Sequence, residues 1–193
     1  MSKVRMGAKY PRFAPIATEM EDALPKYKAP ITTIGELIAA NLTLNYASGE
    51  LYSDDALNMK VDEFSSGSIA MENDGLESGV YAALFGATLD DEETGLVIHS
   101  ADDAAPYGGL GYYTRMRDKS GKVYYEGHFF PKVVASLNGA NASTKSGSIN
   151  FTTANVTFTV MKCDNGQFWL HEVFETEALA KKFVDDHLAE AAG

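Results

Sequence analysis

The chain has 193 residues, 45% of them hydrophobic and 22% charged, and a formal net charge of −11 from 27 acidic and 16 basic side chains. That is the balance of an ordinary globular protein with enough chain to bury a real core, and the acidity speaks against nucleic-acid binding, which rests on cationic neutralisation of phosphates. No apolar run reaches the ~18 residues of a membrane-spanning helix, and the one cysteine, Cys163, excludes an internal disulfide.

Residues 1–12 carry Lys3, Arg5, Lys9 and Arg12 without apolar periodicity. They are expected to form an N-terminal arm ahead of a main domain at 13–175. No continuous apolar stretch follows the basic start, so a secretory leader is not expected and a reducing cytoplasm is. Pro11, Pro15, Pro25 and Pro30 then oppose helix formation. Residues 36–44 alternate roughly, as in a strand, and Ser48-Gly49 signals a turn. Residues 51–60, LYSDDALNMK, are polar enough for a long loop or the rim of a hairpin. A short strand is predicted at 68–72, stopped by Asn73-Asp74-Gly75. Residues 77–86 are a flanking helix, with Val80, Tyr81, Leu84 and Phe85 on one face and Gly86 as its stop. The acidic run Asp90, Asp91, Glu92, Glu93 reads as a solvated loop, and 95–99 as a strand.

An aromatic hairpin follows, with strands near 109–117 and 122–135. In its second strand Val123, Tyr125, Gly127, Phe129, Pro131 and Val133 share the face expected to be core. Lys122, Tyr124, Glu126, His128, Phe130 and Lys132 share a mixed face, as at a protein contact. Residues 136–150 read as an exposed loop. Residues 151–161 alternate, with Val156, Phe158 and Val160 facing one way, and Asp164-Asn165-Gly166 is expected to close a hairpin with 168–174. A C-terminal helix spans 176–193, with Thr176 as N-cap and Leu179, Phe183, Val184 and Leu188 as its apolar stripe. The sum is a mainly β chain with two helices, a β-sandwich or barrel with a flanking α-helix.

No catalytic constellation stands out. His99, His128, His171 and His187 lack ligand spacing, and Cys163 lacks a second thiol for zinc. Asp54-Asp55, Asp102-Asp103 and Asp185-Asp186 do not fit a calcium loop. Ser66-Gly67-Ser68 and Ser146-Gly147-Ser148 are not nucleophile elbows. Gly108-Gly109-Leu110-Gly111 has no helix behind it to cradle a phosphate; its glycines fit close backbone approach. The expectation is a protein with no catalysis, cofactor or metal. Tyr112, Tyr113, Tyr124 and Tyr125 with Arg115, Arg117 and Lys122 could stack nucleic-acid bases, but the overall acidity favours a protein contact.

The hairpin, GGLGYYTRMRDKSGKVYYEGHFFPKVVAS, resembles the signature hairpin of the major tail proteins of long-tailed, non-contractile bacteriophages, in the group common in phages of Gram-positive hosts. The matching residues are Gly109-Leu110-Gly111-Tyr112, Arg115-Met116-Arg117, Ser120-Gly121-Lys122, Tyr125 and Phe130-Pro131-Lys132. Leu110 stands where an aromatic is frequent. The Ser-rich strand at 65–72 and the helix ending Leu84-Phe85-Gly86 agree, so the likeness covers roughly residues 35–175. It implies a β-sandwich tail-tube subunit whose hexameric rings stack into a hollow tube. DNA would pass through the lumen without specific binding, and no membrane partner is implied. The implied partners are further copies of the chain and tail proteins such as the tape measure, tail tip and tail terminator. The implied location is the virion tail, assembled in the host cytoplasm. On this reading Arg5, Tyr10, Tyr52, Asp54, Asp55 and Met59 are candidate inter-ring contacts, from the arm and the 51–60 loop. Tyr112, Arg115, Arg117, Tyr124 and Phe130 form a candidate subunit-contact hairpin. Some of Asp54, Asp55, Asp102 and Asp103 are expected to face the channel. The rival expectations are a carbohydrate- or protein-binding β-sandwich module, with Tyr112, Tyr124 and Trp169 as a sugar platform, and a hydrolase with dispersed carboxylates.

Overall fold

The computed structural model describes residues 2–54, 56–91, 93–139 and 152–189. The chain is mainly β with two helices, as expected. Its strands are β1 (Lys3–Thr18), β2 (Lys26–Tyr27), β3 (Thr32–Thr33), β4 (Leu37–Ser53), β5 (Ala56–Asn73), β6 (Thr88–Asp91), β7 (Leu96–Ile98), β8 (Tyr107–Asp118), β9 (Val123–Leu137), β10 (Ala154–Val160) and β11 (Leu170–Phe174). Helix α1 is Ser78–Phe85 and α2 is Glu177–Leu188. The main sheet runs β2-β1-β8-β9-β10-β5-β4, with β11 added on β9 and β3 on β1, all antiparallel. β6 and β7 form a separate ribbon.

The sheet curls over itself without closing into a barrel. Phe13 on β1 and Phe158 on β10 meet across the interior with ring centroids 6.3 Å apart. Around them lie Ile69, Met71, Leu110, Phe130, Val133 and Val156, all at most 1% exposed, with Val80, Leu84 and Phe85 of α1 joining this core. Each such side chain contributes about 1.5–3 kcal/mol on burial. Gly86 ends α1 in the left-handed conformation, its N–H bonded to the Ala82 carbonyl, as a glycine stop does.

The outer face of β1, β8 and β9 is a second core, closed by α2. Ala14, Tyr27 and Phe129 meet Val184 and Leu188 there. The glycines explain how closely the helix lies. A Cβ on Gly111 would sit 2.6 Å from Val184 Cγ1, and one on Gly127 would sit 2.7 Å from Phe183 Cδ1. Thr176 caps α2 as expected, its hydroxyl accepting from the Leu179 N–H at 3.4 Å. The buried stripe differs by one position. Ala180 is buried and Leu179 is 49% exposed, because the helix lies so near the sheet that only a small side chain fits at the first contact.

Several expectations are corrected. Residues 3–12 are not an arm but the first part of β1, paired with β8. Two bulges, between Arg5 and Ala8 and between Lys9 and Arg12, each place an extra residue in β1. Gly7 (φ 96°) and Tyr10 (φ 65°) adopt left-handed backbone there, and each extra residue reverses the alternation. That is why the segment shows no period. Of the two expectations for residues 51–60, the hairpin rim is met and the long loop is not: they end a hairpin in which β4 and β5 pair from Leu37↔Asn73 to Ser53↔Ala56. The strand expected at 68–72 is only the inner part of β5. The expected hairpin of 151–161 with 168–174 does not form. β10 pairs Val133–Leu137 of β9, and β11 pairs Tyr125–Phe129 of the same strand. The Asp164-Asn165-Gly166 turn is therefore an excursion between two strands that run on along one edge of β9. Residues 140–151 and 190–193, parts of the expected exposed loop and C-terminal helix, lie outside the described residues.

Candidate assembly surface

Beyond Leu44↔Gly67, β4 and β5 leave the body as a two-stranded ribbon, with no other strand on either edge among the described residues. Eight residues from Tyr46 to Ser53 give it a length of about 25 Å. Its cross-strand pairs divide into two faces. On one, Ser48 faces Asp62 and its hydroxyl donates to that carboxylate. Glu50 faces Lys60, Lys60 lies 3.5 Å from Asp62, and the Tyr52 hydroxyl donates to Glu50 at 2.9 Å. The other face pairs Gly49 with Val61 and Leu51 with Met59, beside Ala47. Leu51, Met59 and Val61 are 47–57% exposed. An isolated ribbon of this kind is marginal by itself, and Glu63, opposite Ala47, is the charged residue on this otherwise apolar face.

The inter-ring candidates fall in two places. Tyr52, Asp54 and Met59 are exposed on this ribbon, with Asp54 in left-handed backbone at its tip (φ 51°). Asp55 lies outside the described residues. Arg5 and Tyr10 lie on β1 and already have partners within the chain. Tyr10 donates to Asp185 of α2 at 2.9 Å, and Arg5 Nε donates to Glu126 at 2.9 Å. Leu51 lies in the 51–60 stretch named from the sequence, whereas Ala47, Gly49 and Val61 on the same face were not singled out there. Their signal was present as alternation, but the charges between them mark the stretch as polar.

The candidate subunit-contact hairpin is corrected in part. Tyr112 and Phe130 are 4% and 0% exposed and belong to the inner core, so neither can touch a neighbour. Of the face expected to be mixed, Glu126, His128 and Phe130 are buried because the sheet curls over them, while Lys122 at its end is exposed. Arg115 and Arg117 are exposed, and Tyr124 is half-buried with the Lys3 ammonium 3.8 Å above its ring. The same burial removes Tyr112 from any sugar platform, and Trp169 stacks on Phe130 and His171. Asp102 is exposed and Asp103 half-buried, the latter accepting from the Ser100 N–H in a tight turn well apart in sequence from the ribbon.

A buried polar cluster lies beneath Arg5. Glu126, 5% exposed, takes the Arg5 hydrogen bond and faces His171 Nδ1 at 3.1 Å and His128 Nε2 at 3.6 Å. His128 Nε2 also lies 3.1 Å from the Thr114 hydroxyl. Burial works to raise the Glu126 carboxyl, but the Arg5 hydrogen bond and the surrounding imidazoles outweigh it and hold it low. Burial pushes the His128 imidazole down to about 4, and pushes the Tyr112 hydroxyl up to about 12. The cluster borders a cleft of about 270 Å³ between Arg5 and Ala40–Leu42. Among the described residues, no group of three or more His, Cys, Asp or Glu is placed to hold a metal ion. The arrangement fastens β1 to β9 by a charged hydrogen bond.

No protein family's sequence pattern matches the chain, and no curated protein is similar to it.

Proposed function

We propose that this protein is the repeating subunit of a phage tail tube, a structural virion protein whose hexameric rings stack into a hollow conduit for DNA. The observation that carries the proposal is the projecting β4–β5 ribbon. Among the described residues its apolar face is largely exposed and neither of its edges is paired with a further strand. A head-to-tail contact of such an element with the next copy propagates where its rotation does not close into a ring. The resemblance of the β8–β9 hairpin supports the same reading, with a revised reason for its aromatics. They build the two cores that hold the ribbon and β1 in place, and they are not themselves the contact. The net charge of −11 suits a channel along which phosphates slide without adhering.

Negative-stain electron microscopy of the purified protein, dilute and concentrated, tests the proposal. Hollow tubes with a regular axial repeat are the expected result. Discrete single subunits at every concentration, also in the presence of tail-tip proteins from the same phage, would overturn it.

A further inference from the structure

The ribbon is acidic as well as apolar. Residues 45–66 hold five carboxylates against one lysine, and Glu50, Asp54, Asp62 and Glu63 are all exposed. The opposite character lies on β1. Residues 2–12 hold Lys3, Arg5, Lys9 and Arg12 and no acid. Val4 and Met6 among them are 65% and 43% exposed. Residues 3–11 of β1 pair with β8 on one side and with no strand on the other among the described residues. One surface is therefore acidic, apolar-faced and open-edged; the other is basic, carries exposed apolar side chains and has an edge without a paired strand, which borders a cleft before Ala40–Leu42 at Arg5 and another before Gly35–Leu37 at Lys9.

We propose that the β4–β5 ribbon of one copy docks along residues 3–9 of β1 in a second copy. The two surfaces belong to different parts of the chain, so the contact is heterologous and leaves the pair with one unused ribbon, on one copy, and one unused β1 edge, on the other. Opposite charges steer the encounter and fix which edge meets which, while Leu51 and Met59 of the ribbon cover Val4 and Met6. The inference rests on the assembly reading above and names the two surfaces that meet.

Charge exchange combined with cross-linking tests it. Glu50→Lys with Glu63→Lys on the ribbon, or Lys3→Glu with Lys9→Glu on β1, should each raise the concentration needed for assembly about tenfold or more, and the two sets combined in one chain should recover most of the loss. In parallel, Leu51→Cys and Val4→Cys chains carrying different tags are mixed under oxidising conditions. Cys163 is buried and leaves the readout to the introduced thiols. A disulfide joining the two tags is expected. Tubes that form with unchanged concentration dependence in both charge variants, without that disulfide, would overturn the pairing and leave the tube reading standing. The mixed disulfide in dimers or short chains that never become tubes would support the pairing and count against the tube. Neither assembly nor disulfide at any concentration would overturn both.

Discussion

Helix α2 should be the most sensitive probe of the packing that holds the ribbon-bearing sheet. Gly111→Ala adds one methyl group at a position whose backbone any residue can adopt, so the cost is steric. That methyl would meet Val184 Cγ1 at 2.6 Å and has to move apart by about 1 Å to reach ordinary carbon–carbon contact. Overpacking of this size costs about 1–3 kcal/mol. Removing a glycine from a strand interior returns about 0.5–1 kcal/mol. The net expectation is a loss of about 1–2 kcal/mol, a drop of roughly 2–8 °C in Tm for a chain of this length. Val184→Ala alone removes two buried methyl groups and should cost about 2–3 kcal/mol including its cavity. The double variant should cost less than the sum of the two by at least about 1 kcal/mol, because each change relieves the defect of the other. Urea unfolding followed by tryptophan fluorescence and far-UV circular dichroism reads all four corners of the cycle. A neutral Gly111→Ala, or two changes that simply add, would refute the argument that glycine is there to admit the helix.

Three further outcomes follow from the same structure. Leu51→Ser with Met59→Ser should leave monomer stability within about 0.5 kcal/mol, since both side chains are largely exposed, yet abolish sedimentable assembly; a comparable loss of stability in the monomer would mean that the ribbon packs on its own body. His128 is neutral in the fold down to about pH 4, whereas in the unfolded chain it takes up a proton near pH 6.5. The unfolded state therefore binds more protons between those limits, and stability should fall as pH is lowered through them, by about 3 kcal/mol in all. His128→Gln should flatten that interval, while the further loss at more acid pH, where Glu126, held below the usual carboxylate range, takes up its proton and releases Arg5, should remain. Cys163 is 4% exposed with its thiol pushed up to about 11 by burial, so a thiol reagent at neutral pH should modify it only at the rate of unfolding, and prompt stoichiometric reaction would contradict its placement.

The legible parts of the sequence were those where period and turn chemistry agreed. The helix over 78–85 with Gly86 after it, the Thr176 cap and the β8–β9 hairpin each carry a local signal that tertiary packing only reinforces. β1 was illegible because two bulges reverse its alternation within a few residues. The ribbon was legible as a hairpin rim but not as a two-faced element: its alternation holds only between two bulges, over 46–51 and 59–64, and with no core to bury against its apolar face reads like a polar loop. The inner face of β9 was misjudged because Glu126 and His128 read as surface residues. Only the curl of the sheet, and Arg5 arriving from more than 100 residues away in sequence, make them buried. Burial through distant partners leaves no trace in local composition.

β9 changes its inward-facing set part-way along. Gly108 pairs with Val133 while Leu110 pairs with Phe130, so one extra residue is accommodated next to Pro131. Before that point even-numbered residues such as His128 and Phe130 look inward; after it odd-numbered ones, Val133 and Ala135, do. The strand thus carries a phase slip, and the two halves of the molecule are tuned to opposite parities. Removing Lys132 would bring them into a single phase: Val133 would stand two positions after Phe130, still opposite Gly108 and still inward with Ala135. A one-residue deletion at this point would therefore keep the inward set inward, whereas one beyond Val133 would turn the rest of β9 inside out; the 161–169 excursion, which separates two strands along the same edge, is where the chain could lengthen without disturbing either parity.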